Sequence, residues 1–124
     1  MQGRTIDQVT LVPDADLQWA DLRGADLTGL DLKGADFSYA NLEGATLARA
    51  DLSGANFYEA NLKRADLQSA NLSEANLVGG DFKGANMSNT NCRHTDCWCA
   101  DFKGAVLDGS DFKGADTHQA NFDK

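Results

Sequence analysis

Residues 15–44 read ADLQW ADLRG ADLTG LDLKG ADFSY ANLEG, which is one five-residue unit repeated six times. Each unit has a small residue, then Asp or Asn, then Leu or Phe, then two variable residues. We call these the small, Asx, centre, first outer and second outer positions. The pattern continues without insertion to Lys124 and makes 22 consecutive units. The fold must therefore accommodate a period of five.

A period of five excludes the usual elements. On an α-helix, successive centres would lie about 140° apart and spread around the cylinder. In a flat strand an odd step would send them to opposite faces. The small and centre positions are two apart, so they face the same side of an extended segment. If the chain bends the same way at every unit, both line one interior, which predicts a solenoid of short strands and turns.

The remaining positions fit corners. An Asp or Asn side chain can accept backbone N–H bonds in an Asx-turn. Ten of the twelve glycines occupy the second outer position, where a tight turn often requires a positive φ. Phe37 and Phe57 are separated by four units, as are successive members of the set Phe82, Phe102 and Phe122, which favours four units in each coil.

Four units in each coil imply about 5.5 coils for the whole repeat. The centres are the predicted core, and the positions that represent it are Leu22, Leu42, Leu62, Phe82, Leu27, Leu47 and Leu67.

Composition limits the function. The net charge of −8 argues against direct binding to nucleic acid or to an acidic membrane. No apolar run approaches the ~18 residues of a membrane helix, and no signal peptide is evident. The three cysteines crowd between Cys92 and Cys99, which is no disulfide framework, so we expect a cytoplasmic protein.

The A(D/N)LXX units resemble the pentapeptide-repeat family over residues 15–124. The resemblance implies an all-β fold, a right-handed quadrilateral parallel β-helix. Residues 1–14 precede the repeat and are predicted to be an N-terminal cap segment. The resemblance also implies a bacterial source, since the family is rich in cyanobacterial members. Some members are acidic, dimeric quinolone-resistance proteins that imitate DNA and bind gyrase. This repeat is unbroken and lacks a loop like the one that some of them use on the enzyme.

Both ends of a solenoid need covering. At the N-terminal end Ile6, Val9, Leu11 and Val12 are predicted to cover the first coil. At the other end the sequence stops inside a repeat, so either two molecules meet there or the chain continues in a longer protein. We expect a homodimer through the C-terminal coil, with the candidate dimer end Phe102, Phe112 and Phe122.

Four-sided coils place both tryptophans and both tyrosines on one side. This aromatic face is the candidate partner-binding face, with Trp19, Tyr39, Tyr58, Glu59, Val78 and Trp98. Its repeat units hold no Lys or Arg and carry a net charge of −5. Exposed aromatics indicate a partner site, but an aromatic ladder can also simply stabilise stacked strands, and the sequence leaves both readings open.

The next face carries Lys and Arg interleaved with acids, so we expect a solvated mixed-charge surface. The sequence holds 19 acids, and twelve occupy Asx positions that the turns already require, so acidity is weak evidence for DNA mimicry. Neither a metal nor a cofactor is expected. Cys92 and Cys97 are centres, whereas His94 and Cys99 are outer residues, so the four cannot converge on one ion. No nucleophile and base are paired, so an enzyme is not expected.

These observations predict a non-catalytic protein-binding or structural rod with an unidentified protein partner. The alternative is a DNA mimic that binds DNA gyrase or another type II topoisomerase.

Overall fold

The computed structural model describes residues 4–6 and 9–124. Two short strands, β1 (Arg4–Thr5) and β2 (Ala20–Asp21), pair in parallel, with Arg4 opposite Ala20. From there on, single-residue parallel bridges join each Asx position to the one four units later, from the pair Asp16–Asp36 to the pair Asp101–Asn121. Each coil therefore takes four units, and the chain winds into a four-sided parallel β-helix as predicted.

The bridges are short, but backbone hydrogen bonds between coils recur in every unit. The Leu42 N–H donates to the Asn61 carbonyl one coil later (2.7 Å), and the Asn41 N–H donates to the Ala20 carbonyl one coil earlier (2.9 Å). A third bond runs from the second outer N–H to a first outer carbonyl of the next coil. Backbone groups inside a narrow coil have few other partners, so this register is what satisfies them.

Each corner is closed within its own unit. The N–H of Ala45 donates to the carbonyl of Leu42 (2.9 Å), which is the i to i+3 bond of a β-turn. The side-chain oxygen of Asn41 accepts the N–H of Glu43 (3.1 Å), and the equivalent bond recurs in both the Asp and the Asn units. The predicted Asx-turn is confirmed.

The positive φ extends beyond the glycines. All ten second outer glycines have φ between 65° and 75°. The other second outer residues up to position 119 also have a positive φ, between 55° and 62°; they are Trp19, Tyr39, Arg49, Glu59, Arg64, Ser69, Glu74, Asn89, His94, Cys99 and Gln119. None of these is β-branched, because Val, Ile and Thr are least compatible with that conformation. The turn therefore selects against one class of side chain even where it does not require glycine.

The same corner appears one unit before the repeat begins. The Ala15 N–H donates to the Val12 carbonyl (3.2 Å), and Asp14 has φ 59°. Pro13 takes the second position of this turn, where its fixed φ is favoured. Backbone bonds thus begin the coil at a segment that lacks the repeat's side-chain pattern.

The centres form the core. From Leu17 to Phe102 every centre is at most 1% exposed, including all seven representative core positions. Phe37 stacks on Phe57 with ring centroids 4.7 Å apart, and Phe82 stacks on Phe102 at 5.0 Å. Like side chains therefore stack along the axis, as the spacing of the phenylalanines predicted.

The N-terminal segment covers the first coil only in part. Val9 and Leu11 pack against the core, but Ile6 and Val12 are 41% and 45% exposed. Leu11 and Val12 are neighbours, so in an extended segment only one of them can face the coil. The expectation that all four apolar residues cover this end is therefore wrong for Ile6 and Val12.

The phenylalanines of the C-terminal coil differ in burial. Phe122 is 41% exposed, and Phe112 is partly buried against the core. Phe102, however, is 1% exposed, because the ring of Phe122 stacks over it at 4.9 Å. Of the candidate dimer end, Phe122 and Phe112 are therefore the outer residues, and Phe102 lies beneath them.

The turn conformation can be tested at Ser69, which is exposed and has φ 60°. Ser69→Val should destabilise the protein by about 1 kcal/mol, because a β-branched side chain resists positive φ. The measurement is the midpoint of urea unfolding. Gln68→Val, at the exposed first outer position of the same turn, is the control and should change stability by no more than about 0.5 kcal/mol. Equal effects of the two changes would contradict the assignment.

Candidate functional site

The aromatic face holds three rings in contact. Trp19 and Tyr39 are stacked, with centroids 4.4 Å apart and planes 7° from parallel. The ring of Tyr58 meets that of Tyr39 edge-on at 5.6 Å. The two tyrosines are 41% and 37% exposed. The sequence predicted the shared face, whereas the contacts follow from side-chain directions at two different turn positions.

Trp98 stands apart from this cluster. It is 48% exposed and makes no ring contact with any described residue. One coil separates it from Tyr58, and that coil presents Val78 and Gly79. The carboxylate of Glu59 leans over Gly79, since a Cβ at that glycine would lie 2.6 Å from Glu59 Oε1. Val78 and Gly79 therefore separate the Trp19–Tyr39–Tyr58 cluster from Trp98, and the Glu59 carboxylate lies over this gap in the aromatic face.

The acids of this face are largely uncompensated. Asp36, Glu59, Asp96 and Asp116 form no ion pair within residues 4–6 and 9–124. One cation does reach the face: the Arg4 guanidinium lies 3.5 Å from the carboxylate of Asp16 and donates to the Gln18 carbonyl at 2.7 Å. The repeat units hold no base there, as expected, but the segment before them supplies Arg4. Its place is set by the pairing of β1 with β2, which the repeat pattern does not contain.

A small pocket of about 130 Å³ lies beside this arginine, lined by Arg4, Asp16, Gln18 and Trp19. Pockets that bind drug-sized ligands usually enclose about 300–1,000 Å³. The pocket is therefore part of the edge of the aromatic face and too small to hold such a ligand.

Several bases of the neighbouring mixed-charge face form ion pairs. Lys83 lies between Asp81 at 3.1 Å and Asp101 at 3.3 Å, and Lys63 reaches the same Asp81 at 3.7 Å. The hydrogen bond from Lys83 to Asp81, followed by that to Asp101, raises the pKa of the lysine. Lys63 and Lys83 are thus paired with acids of this face, which agrees with the expected mixed-charge surface and interrupts a continuous acidic surface.

Ion pairs also cross coils on a third side of the rod. The Arg93 Nε donates to Asp111 at 2.6 Å, and Lys33 lies 3.7 Å from Asp51. The backbone N–H of Lys113 and then the Arg93 side chain lower the pKa of Asp111. For Asp51, burial acts to raise the pKa, but the Ser53 hydroxyl and N–H and then Lys33 outweigh it, so the pKa is lowered.

The cysteine side chains point in different directions, as their positions in the repeat predicted. Cys92 and Cys97 are buried and Cys99 is exposed, and all three are free thiols. Burial raises the pKa of Cys92, and it raises that of Cys97 to about 11 although the Thr95 hydroxyl, 3.2 Å from its sulfur, acts the other way. Neither buried thiol is a thiolate near neutral pH. No cluster of three potential metal ligands occurs in the described part of the chain.

The comparisons identify the class of protein. The family model for pentapeptide repeats matches residues 15–54, 45–84 and 85–123, with 8 copies. Together with the four-unit coils, this shows that the chain belongs to the pentapeptide-repeat family, whose fold is the right-handed quadrilateral β-helix. No curated protein matches the chain. None of the described residues belongs to a helix long and apolar enough to cross a membrane.

Solved structures show similar proteins. A pentapeptide repeat protein from Nostoc PCC 7120 is 32% identical, with a TM-score of 0.52 over 79% of this chain and 84% of that one. A pentapeptide repeat protein from the thylakoid lumen of Arabidopsis thaliana is 30% identical, with a TM-score of 0.51 over 76% of this chain. The alignment covers 62% of the Arabidopsis protein's length.

A more distant likeness is to trypsin-treated QnrB1, a plasmid-mediated fluoroquinolone resistance protein. It is 23% identical, with a TM-score of 0.41 over 97% of this chain and 70% of that one. At that distance it adds no argument for a shared target.

The ion pairs predict how stability depends on pH. The pKa values of Asp51, Asp101 and Asp111 are lowered in the folded state, so these carboxylates stabilise it fully above their unfolded pKa of about 3.9. That stabilisation is lost as the pH falls through the folded values. The urea midpoint should stay nearly level from about pH 7 to 5 and decrease below about pH 4.

Asp101→Asn is the control for this pH dependence. It keeps a side-chain oxygen for the Lys103 N–H, now bonded at 3.0 Å, but cannot titrate. The decrease in acid should be shallower in this variant. A midpoint that rises on acidification would contradict the assignment.

Proposed function

We propose that the protein is a non-catalytic protein-binding rod that holds its partner on the aromatic face. The supporting observation is an aromatic surface on a single side of the rod, in which Tyr39, Tyr58 and Trp98 are exposed and the half-buried Trp19 stacks on Tyr39. Trp and Tyr are enriched at interfaces and at the residues that contribute most binding energy, since they bury a large area with little loss of side-chain freedom.

Trp98 favours binding over a purely structural role. The stack of Trp19 on Tyr39 joins neighbouring coils and stabilises them whether or not a partner exists. Trp98 has no ring neighbour among the described residues and is about half exposed, so ladder stabilisation does not account for it. A partner that binds this face would bury Trp98 together with the cluster of Trp19, Tyr39 and Tyr58, which ends one intervening coil away.

The proposal also includes a homodimer through the C-terminal coil and a cytoplasmic location. Phe122, which is 41% exposed, and the half-buried Phe112 in contact with it support the dimer, because a second copy would cover both rings. The free thiols of Cys92, Cys97 and Cys99 support a reducing compartment.

Replacing both tryptophans tests the binding face. Trp19→Ser with Trp98→Ser should abolish capture of the partner by immobilised protein in a lysate, read by mass spectrometry, because the two largest contact side chains are gone. Unfolding should shift by no more than about 5 °C, since both side chains lie outside the core and only one stack is lost.

The matched control changes the same turn positions on the opposite side of the rod. Arg49→Ser replaces a second outer residue, as Trp19→Ser does, and Gln68→Ser replaces a first outer residue, as Trp98→Ser does. This control should capture the same proteins as the unaltered chain. If the tryptophan variant captures them equally well, the aromatic face is not the binding site.

The DNA-mimic alternative is tested separately. A gyrase supercoiling assay should show no inhibition and no protection from a quinolone at micromolar protein, because Lys63, Lys83 and Arg93 interrupt the acidic surface with ion pairs. Inhibition at that concentration would favour the alternative, and loss of inhibition in an acid-to-amide variant of Asp36 and Asp96 would locate it on the aromatic face.

A further inference from the structure

The first coil has no repeat coil before it to bond its backbone carbonyls. Along the aromatic face, the Leu17 N–H donates to the Asp36 carbonyl of the next coil (2.7 Å). The Trp19 N–H likewise donates to the Ser38 carbonyl (3.1 Å). The two corresponding carbonyls of the first coil belong to the corner that carries Trp19, and no repeat unit stands one coil before them. Another donor must therefore satisfy them or leave them to solvent.

The guanidinium of Arg4 takes the place of both missing N–H groups. Its Nη2 donates to the Asp16 carbonyl at 2.9 Å and to the Gln18 carbonyl at 2.7 Å, and its Nε also donates to the latter at 3.2 Å. A guanidinium holds several N–H donors in one plane, so a single side chain can bond two carbonyls of the same corner. The pairing of Arg4 with Ala20 brings the side chain to this place, where only 16% of it is exposed.

Two other sides of the first coil are bonded by the backbone of the same N-terminal segment. Strand β1 pairs with β2, and the Asp14 N–H donates to the Lys33 carbonyl at 2.8 Å. On the side of Trp19, a side chain does this work instead. Trp19 has φ 62°, a conformation that a residue other than glycine keeps only where its surroundings fix it. Arg4 and Trp19 line the same small pocket, so the bonds of the guanidinium lie beside the indole that this corner carries.

We propose that Arg4 is the end cap of the first coil and the positioning residue that holds Trp19 against Tyr39. Its two carbonyl bonds fix the corner from one side, and the bond to the next coil fixes it from the other, so the indole stays parallel to the Tyr39 ring at 4.4 Å. The ion pair with the Asp16 carboxylate is secondary, because that contact is longer, at 3.5 Å, and the carboxylate is 67% exposed. The inference rests on the proposed function only in treating the stack as the N-terminal edge of a binding face.

The fluorescence of Trp19 tests the inference in Trp98→Phe, where Trp19 is the sole tryptophan. Adding Arg4→Ala should shift its emission to longer wavelength and remove the near-UV circular dichroism of the stack with Tyr39, because the corner is then free to move. Amide hydrogen exchange at Trp19 should become about tenfold faster, whereas exchange at the distant Leu62 should stay the same. A spectrum that Arg4→Ala leaves unchanged would overturn the inference, and so would equal acceleration at both amides.

Two variants separate the carbonyl bonds from the charge of Arg4. Arg23→Ala removes the arginine of the first coil, whose guanidinium bonds the Asp21 carboxylate at 2.8 and 2.7 Å and, among the described residues, no backbone carbonyl. Asp16→Asn removes the ion pair but keeps a side-chain oxygen for the N–H that the carboxylate now accepts at 3.1 Å. Both should leave the Trp19 spectrum unchanged and alter its exchange less than about twofold. Loss of the stack in either variant would contradict the role of the carbonyl bonds.

The inference and the proposed function fail in different ways. If lysate capture requires Trp19 and Trp98 while Arg4→Ala leaves the Trp19 spectrum unchanged, only the inference is lost. If capture is unaffected by the tryptophan changes, the proposed function is wrong, and the spectrum and exchange of Trp19 still decide the role of Arg4.

Discussion

Every part of this molecule depends on the corner that closes each five-residue unit. One N–H from the small position reaches back to the centre carbonyl, the Asx side chain accepts a second N–H, and the second outer residue takes a positive φ. Four such corners complete one coil and return the chain to its starting direction. Only then can the Asx and centre N–H groups find carbonyls in adjacent coils. The turn and the register between coils therefore stabilise each other.

This constraint separates the interior from the surface. Small and centre residues fill a narrow shaft in which ring stacks align along the axis, so volume is restricted at every position. The Asx positions serve the turn and make the chain acidic as a consequence. Only the two outer positions of each unit can vary freely in amino-acid type. Even there, the second outer position excludes β-branched side chains. Any binding specificity must therefore come from outer residues, which is where the aromatic face lies.

The electrostatics divide the rod into unlike sides. Cross-coil pairs such as Lys83 with Asp101 and Arg93 with Asp111 neutralise two of them locally, because a first outer residue meets the Asx position of the next coil. The aromatic face lacks such bases apart from Arg4 at its N-terminal end. Asp36, Glu59, Asp96 and Asp116 therefore remain without ion-pair partners among the described residues, and they make this side of the rod the most acidic.

The repeat by itself determined the four-sided coil, the buried centres and the Asx-turns. It also determined which cysteines point inward and which residues belong to the aromatic face. The reason is that a strict period converts position in the sequence directly into position on the rod. Tertiary structure alone decided what depends on contact between coils or on segments outside the period: the stack of Trp19 on Tyr39, the carboxylate of Glu59 over Gly79, the burial of Phe102 beneath Phe122, and the place of Arg4. The physical reason is that a period sets which way a side chain points, whereas its neighbours, rotamer and the coil above it set what it touches.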